Sequence, residues 1–181
     1  MFVTGILLFF GVHLVPLHSK LKQSIENKIG ENVYKTFFSI ISLIGLLLII
    51  LGYESSADSL YQINTKVYLY SKFFMFLSLT ILISAYFPTY IKKYTKHPMS
   101  VGIAIWALMH LLTNSDTSSV ILFGSFIIYG IVSVLVVELK GIDKKTLTPR
   151  IVFDALSMTL GVFLTFLAFN FHEYLSGVKL F

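Results

Sequence analysis

Six apolar segments, separated by short polar stretches, constrain this sequence more than any other feature. Each is close to the roughly 20 residues that a helix needs to cross a bilayer, although the first and the fourth are short. The composition agrees, since 56% of the 181 residues are hydrophobic and only 13% are charged, unlike an average soluble domain. We therefore predict an all-α, polytopic transmembrane helical bundle, a single domain over residues 1–181, with about six spans at residues 2–17, 36–53, 67–87, 98–113, 118–139 and 150–172.

The basic residues lie mostly in alternate loops between these segments. Basic loops tend to stay in the cytoplasm under the positive-inside rule, so we predict that both termini face the outer, periplasmic side. Chance placement of these charges is a weaker interpretation. The net charge of +5 could also indicate an acidic partner such as nucleic acid, but the alternation of the charges between loops disfavours it. Eleven of the 14 lysines and arginines fall in the first, third and fifth loops: Lys20, Lys22, Lys28, Lys35, Lys92, Lys93, Lys96, Lys140, Lys144, Lys145 and Arg150.

The chain contains no cysteine. Disulfides and the C-x-x-C-H attachment of a c-type haem are therefore excluded. The first four residues, Met-Phe-Val-Thr, also lack the positive charge that begins a secretory signal. We therefore expect the first apolar segment to be retained as a span.

The stretch from His97 to Gly130 holds the clearest candidate site. A helix that begins at Pro98, where the missing N–H costs nothing, places Gly102, Trp106 and His110 on one face at spacings of four. This face presents a small residue, a bulky one and an imidazole. It therefore predicts a binding site more clearly than it predicts a reaction.

Histidines inside apolar spans are costly unless they face the bundle interior and find a partner. In the first span His13 follows Gly5 and Phe9 at spacings of four, so we predict a site residue there. The alternative is a neutral imidazole that hydrogen-bonds a neighbouring helix. His110 and His172 fall near the outer ends of their helices, whereas His97 lies about 20 Å from His110 along the same helix. His97 and His110 therefore cannot bind one metal ion.

Polar and small residues also form stripes on the apolar helices. Ser42, Gly45 and Gly52 share a stripe in the second span, which predicts close helix packing. The last span carries an inward stripe that begins at Asp154 and Ser157. This stripe indicates either a functional lining or a hydrogen-bonded seam, and Asp154 alternatively serves as a helix N-terminal charge.

The chemistry of these residues favours a haem over a zinc centre. Almost no carboxylates or thiolates neighbour the histidines, whereas a hydrolytic zinc site needs three converging protein ligands. Imidazoles on facing apolar helices, surrounded by Phe, Trp and Gly, instead suit an intramembrane haem b. Phosphate-binding loops, nucleophile elbows and nucleic-acid motifs are absent from the sequence, and no catalytic residue stands out.

Several motifs together resemble the NnrU family of bacterial membrane proteins, over nearly the whole chain. The most specific is the central block His-Pro-x-x-x-Gly-x-x-x-Trp-x-x-x-His-Leu-Leu-x-Asn-x-Asp, from His97 to Asp116. Similar motifs are Phe10-Gly11-Val12-His13-Leu14-Val15-Pro16, Leu122-Phe123-Gly124 and His172-x-x-x-x-Gly177. The resemblance implies an integral protein of the bacterial inner membrane.

The related zeta-carotene isomerase is similar to this chain mainly in the central block. It is a haem b protein that isomerises a cis double bond when its iron is reduced. The resemblance implies axial metal ligands at His13 and His110. Gly102 and Trp106, on the same helix face as His110, and His97 and His172, at matching levels in the membrane, are further candidate cofactor-binding residues. Ala107 stands where that enzyme has a cysteine. Two other pairs match better by their level in the membrane: His13 with His97, and His110 with His172. The number of haems, one or two, is therefore left open.

Two functions follow from the resemblance. The first is haem-dependent, redox-gated isomerisation or related chemistry on a lipophilic substrate. The second is a non-catalytic accessory, sensor or electron-transfer protein associated with nitrite and nitric oxide reduction, that is, with denitrification. Both place the chain in the lipid bilayer, with a membrane redox partner and without nucleic acid. A transporter is disfavoured because the halves show no inverted repeat.

Overall fold

The structure of the protein is a computed structural model that describes residues 1–54, 58–140 and 147–177. Of the basic residues considered above, Lys144 and Lys145 lie outside the described residues. The chain divides into two compact units, residues 1–56 and 57–181, and each is described by itself. The single-domain interpretation of residues 1–181 stays a prediction.

The predicted all-α class is confirmed. In the described ranges the regular elements are helices, and the one β-type pairing is an isolated bridge between Ser59 and Asp116. Among the residues that the structure describes, four helical segments are long and apolar enough to cross a membrane: Glu31–Gly52, Thr65–Ser84, Thr117–Leu139 and Ile151–Asn170. The chain is therefore a polytopic helical membrane protein.

The predicted count of about six spans is approximate, since not every apolar segment in the described residues forms a helix that is long enough on its own. The first segment qualifies only together with the following helix, across a bend of 95° between Phe2–Leu17 and Ser19–Ile29, which gives up to five. The fourth segment forms a helix of 16 residues, Pro98–Thr113. At 1.5 Å per residue it is about 24 Å long, less than the roughly 30 Å of a hydrocarbon core.

The first unit consists of three helices. Helix α1 (Phe2–Leu14) passes through a 3₁₀ turn at Val15–Leu17, where Pro16 lies, into α2 (Ser19–Ile29), and α3 (Glu31–Gly52) follows. The His18 side chain caps α2 by accepting a hydrogen bond of 3.1 Å from the Leu21 backbone N–H. Gly30, at φ +87°, makes the turn into α3.

Helices α1 and α3 are antiparallel, and glycines bring their backbones together. A Cβ atom on Gly5 would lie 2.7 Å from the Ile49 backbone nitrogen, and one on Gly45 would lie 2.8 Å from that of Phe9. A Cβ on Gly52 would similarly meet Phe2. The predicted small-residue stripe is therefore the contact surface between α1 and α3, as expected for close packing in a membrane.

The second unit contains the remaining helices, α4 (Tyr68–Ser84), α5 (Tyr90–Thr95), α6 (Pro98–Thr113), α7 (Thr117–Leu139), α8 (Ile151–Asn170) and α9 (His172–Ser176). Helix α4 packs against both α6 and α8, and α6 also packs against α7. The order across the layer of long helices is therefore α8, α4, α6 and α7.

The inward-facing stripe of the last span is buried as predicted. Asp154, Ser157 and Gly161 are all buried, and Thr80 of α4 lies directly over Gly161. The Asp154 carboxylate accepts hydrogen bonds from the backbone N–H groups of Tyr90 (2.9 Å) and Ile91 (3.0 Å). Asp154 therefore caps α5, a neighbouring helix, and it also lies in the first turn of its own helix, α8, where its charge is favourable.

The other end of the unit is closed by the turn between α6 and α7. Asp116 caps α7 by accepting a hydrogen bond from Ser119 N–H (3.0 Å), a role that Asp often plays at a helix N-terminus. The hydroxyl of Tyr61 donates to the carbonyls of Leu111 and Asn114. Burial and the nearby Asp116 carboxylate raise the pKa of the Tyr61 phenol.

Candidate functional site

His110 stands in a cluster of rings near the end of α6. Its Nδ1 lies 2.9 Å from the Trp106 carbonyl oxygen one turn earlier. A carbonyl only accepts hydrogen bonds, so we assign the ring hydrogen to Nδ1. This tautomer leaves the lone pair on Nε2, which is the atom that would bind a metal.

Rings of α6 and α7 surround this imidazole. The ring of Phe123 stacks on His110, with centroids 4.4 Å apart and an interplanar angle of 28°. Trp106 packs edge-on against Phe123 and Phe126, at 5.1 and 5.2 Å. These contacts place one face of α6 against one face of α7 and leave the imidazole half-buried.

The structure brings His172 to the same place. His172 begins α9, directly after the end of α8, and its ring centroid lies 6.4 Å from that of His110, at an interplanar angle of 21°. This is one of the two level-matched pairs left open above. We name Trp106, His110, Phe123, Phe126 and His172 the imidazole–aromatic cluster.

The chemistry of the residues present fits an iron, since a neutral imidazole nitrogen is a common metal ligand. His110 and His172 are the two imidazoles of this cluster, and their ring centroids lie 6.4 Å apart. No group of three or more His, Cys, Asp or Glu side chains able to hold a metal ion occurs within the described ranges, so an iron here would have two protein ligands.

Gly102 lies elsewhere on α6, and His97 directly precedes this helix. Gly102 packs against α4, where a Cβ would lie 2.6 Å from Leu82 Cγ, and its carbonyl accepts a 2.8 Å hydrogen bond from Ser78. His97 precedes the helix, and its Nε2 lies 2.6 Å from Glu138 Oε1 of α7. A continuous helix separates His97 from His110, which agrees with the expectation that they cannot bind one metal ion.

His13 has surroundings similar to those of His110, but in the first unit. Its Nδ1 lies 2.6 Å from the Phe9 carbonyl oxygen, again one turn earlier. The rings of Phe9 and Phe38 lie 4.3 and 5.0 Å from it. Because each unit is described by itself, the pairing of His13 with His110 as ligands of one haem stays a prediction.

Three residues of these sites were not predicted from the sequence. Phe123 was noted only within a motif, and Phe126 not at all, because an apolar helix rich in Phe gives no sign of which ring faces which neighbour. Glu138 carried a usable signal, since it is the single carboxylate in the apolar segment 118–139. A lone charge there indicates a partner.

Comparison with known protein families shows which family the chain belongs to. The sequence profile of the family described as NnrU protein matches residues 1–180. The chain belongs to the NnrU family. Comparisons of this NnrU chain with curated proteins and with solved structures give no significant match. The relation to zeta-carotene isomerase remains a prediction.

Proposed function

We propose that this member of the NnrU family binds haem b within its helical bundle, in the bacterial inner membrane, and uses it for redox-gated isomerisation of a lipophilic substrate. In this proposal the side chains of His110 and His172 would hold the haem iron. The observation that carries it is the parallel placement of these two imidazoles, 6.4 Å apart, beside aromatic walls.

The cost of placing two imidazoles among apolar side chains supports this assignment. Within a membrane protein, polar residues of this kind mark functional positions by default. The Trp106 carbonyl fixes the His110 ring in the orientation and tautomer that a ligand needs, the role that second-shell groups usually play at metal sites. A bound haem would supply iron that acts as Lewis acid or electron donor.

In such chemistry the protein would exclude water and position the substrate. Phe123 is buried and covers one face of His110. Trp106 and Phe126 extend the apolar wall away from the imidazoles. A lipophilic substrate entering from the bilayer would meet these rings without passing through water.

Haem binding is tested by absorption spectroscopy of the full chain, expressed with ample haem and purified in detergent. We expect a Soret band that His110→Ala and His172→Ala each diminish strongly. His110→Gly should recover the band when free imidazole is added, because the small ligand fits the space left by the side chain. Recovery would separate loss of a ligand from loss of the fold.

Two further variants control this experiment. His18→Ala removes a histidine that only caps α2, and it should leave the band unchanged. His13→Ala tests the ligand implied by the family resemblance. Loss of haem in His13→Ala but not in His172→Ala would move the second ligand to the first unit, and absence of a Soret band in the wild-type protein would overturn the proposal.

A further inference from the structure

A cavity of about 230 Å³ lies between α6 and α7, at the end of α6 opposite the imidazole–aromatic cluster. Its walls are largely apolar and include Met99, Ile103 and Val137. Its polar groups are His97, Ser100, Tyr129 and Ser133. For comparison, an apolar cavity of about 150 Å³ accommodates benzene, so this one has room for a substituted ring.

The cavity lies near the membrane surface, which is the depth at which a membrane lipid places its polar group. His97 directly follows the basic loop that contains Lys92, Lys93 and Lys96, and such residues mark the membrane surface. Met99, part of the wall, is 45% exposed on the outside of the bundle. An apolar tail can therefore leave the cavity toward the lipid while the ring stays inside.

The charges around the cavity favour a neutral ligand. Among the residues that line it in the described part of the chain, there is no lysine or arginine. The imidazole of His97 contacts the Glu138 carboxylate at 2.6 Å. The described lining therefore offers no lysine or arginine to pair with a phosphate or a fatty-acid carboxylate, and either anion would be repelled by the Glu138 carboxylate.

The direction of the hydrogen bonds distinguishes a hydroxyl from a carbonyl ligand. Ser133 donates its single hydrogen to the Gly130 carbonyl at 2.9 Å. The hydrogen in the 2.9 Å contact between Ser100 and Ser133 must therefore come from Ser100. Because the hydrogen of Ser100 is donated to Ser133, Ser100 Oγ can offer a ligand only its lone pairs. On this side the cavity therefore favours a ligand group that donates a hydrogen bond.

We propose that this cavity binds the hydroxyl-bearing ring of a neutral membrane lipid of the hydroquinone class. Ser100 Oγ accepts from a ring hydroxyl, the side chains of Met99, Ile103 and Val137 contact the ring, and the tail lies in the bilayer. The proposal does not rest on haem binding, because it uses only contacts between α6 and α7 near His97.

Isothermal titration calorimetry on the full chain in detergent tests this assignment. The probes are a 1,4-benzohydroquinone with a decyl tail, kept reduced under anaerobic conditions, the corresponding quinone, and decanol. We expect the hydroquinone to bind about three- to tenfold more tightly than the quinone, the value of one hydrogen bond. Decanol, which lacks the ring, should bind more weakly than either.

Two variants with a matched control locate the site. Gly130 lines the cavity, and a Cβ there would meet only the Ser100 carbonyl oxygen, at 3.7 Å, so Gly130→Leu should fill the space and weaken both ring probes at least tenfold. Gly124→Leu, on the same helix with nothing within 4 Å of its Cβ, should bind like the wild type. Ser100→Ala should remove the preference for hydroquinone.

Three results would overturn the assignment. They are equal or tighter binding of the quinone by the wild-type protein, decanol binding as tight as that of the hydroquinone, and unchanged binding by Gly130→Leu. If Gly130→Leu does not fold, Ser100→Ala decides. A wild-type preference for hydroquinone that survives in Ser100→Ala would then be the contradicting result.

Discussion

Asp154 shows how one buried carboxylate joins two parts of the chain. It is 6% exposed, and both of its oxygens accept hydrogen bonds from the first N–H groups of α5. The first N–H groups of a helix have no hydrogen-bond acceptor within that helix. The carboxylate therefore positions the basic loop before α6 against the start of α8.

Removal of this carboxylate should destabilise the second unit. Hydrogen bonds to a charged group contribute about 1.5–3 kcal/mol, and the N–H groups left behind would be partly buried. We expect Asp154→Ala to lower the free energy of unfolding by about 2–3 kcal/mol, and Asp154→Asn by less, because the amide oxygen still accepts one bond. Thermal unfolding in detergent, followed by circular dichroism, measures both.

The exposed Asp58 provides the control, since Asp58→Ala removes the same charge from a loop. It should change the free energy of unfolding by less than about 0.5 kcal/mol. Equal effects of Asp154→Ala and Asp58→Ala would mean that the contact between Asp154 and α5 contributes nothing to stability.

At the scale of helices, glycines decide how closely neighbours approach. In the α1–α3 pair the contacts of Gly5 and Gly45 are with backbone atoms, which cannot move aside as a flexible side chain can. Gly102 lies equally close to α4, but there the nearest atoms belong to the Leu82 side chain. Both pairs of helices thus depend on glycines at their contact surface.

Gly5→Ala is expected to separate α1 from α3. The new methyl group would lie 2.7–2.9 Å from backbone atoms of α3, and overpacking of this kind typically costs about 1–3 kcal/mol. Gly11→Ala adds the same methyl group to the same helix where nothing lies within 4 Å. It should be neutral or slightly stabilising, because alanine favours the helix.

Thermal unfolding in detergent compares these two variants directly. A lower midpoint for Gly5→Ala than for Gly11→Ala is the expected order. The same midpoint for both would mean that α1 and α3 are not in close backbone contact in the protein.

At the scale of the whole molecule, the charges predict an orientation in the membrane. The basic loops and the polar segment near Asp58 alternate between apolar segments, so they should lie on opposite sides of the bilayer. Because the chain contains no cysteine, single cysteines can be introduced without background. Their reaction with a reagent that does not cross membranes reports the side on which they lie.

We expect Asp58→Cys to react with an impermeant maleimide in intact cells, after the outer membrane has been made permeable to the reagent. Lys93→Cys, in the third loop, should react only after the inner membrane is disrupted. Both positions are exposed in the structure, so burial would not explain a missing reaction. The reverse pattern would invert the predicted topology and place both termini in the cytoplasm.

The sequence by itself determined the fold class and the positions of the helices. Hydropathy and segment length are local properties, and a helix needs no distant partner to satisfy its backbone in a membrane. The inward-facing stripe of Asp154 and Ser157 was equally readable, because helical periodicity assigns residues to a face. Membership in the NnrU family followed from the motif around His110.

Only the tertiary structure decided which side chains meet. The periodicity of a helix defines its faces but not which helix each face touches, so no spacing along the chain could pair His110 with His172, His97 with Glu138, or Asp154 with the start of α5. These contacts join residues 41 to 64 positions apart. They depend on the order α8, α4, α6 and α7, which is set by close packing at glycines and small residues.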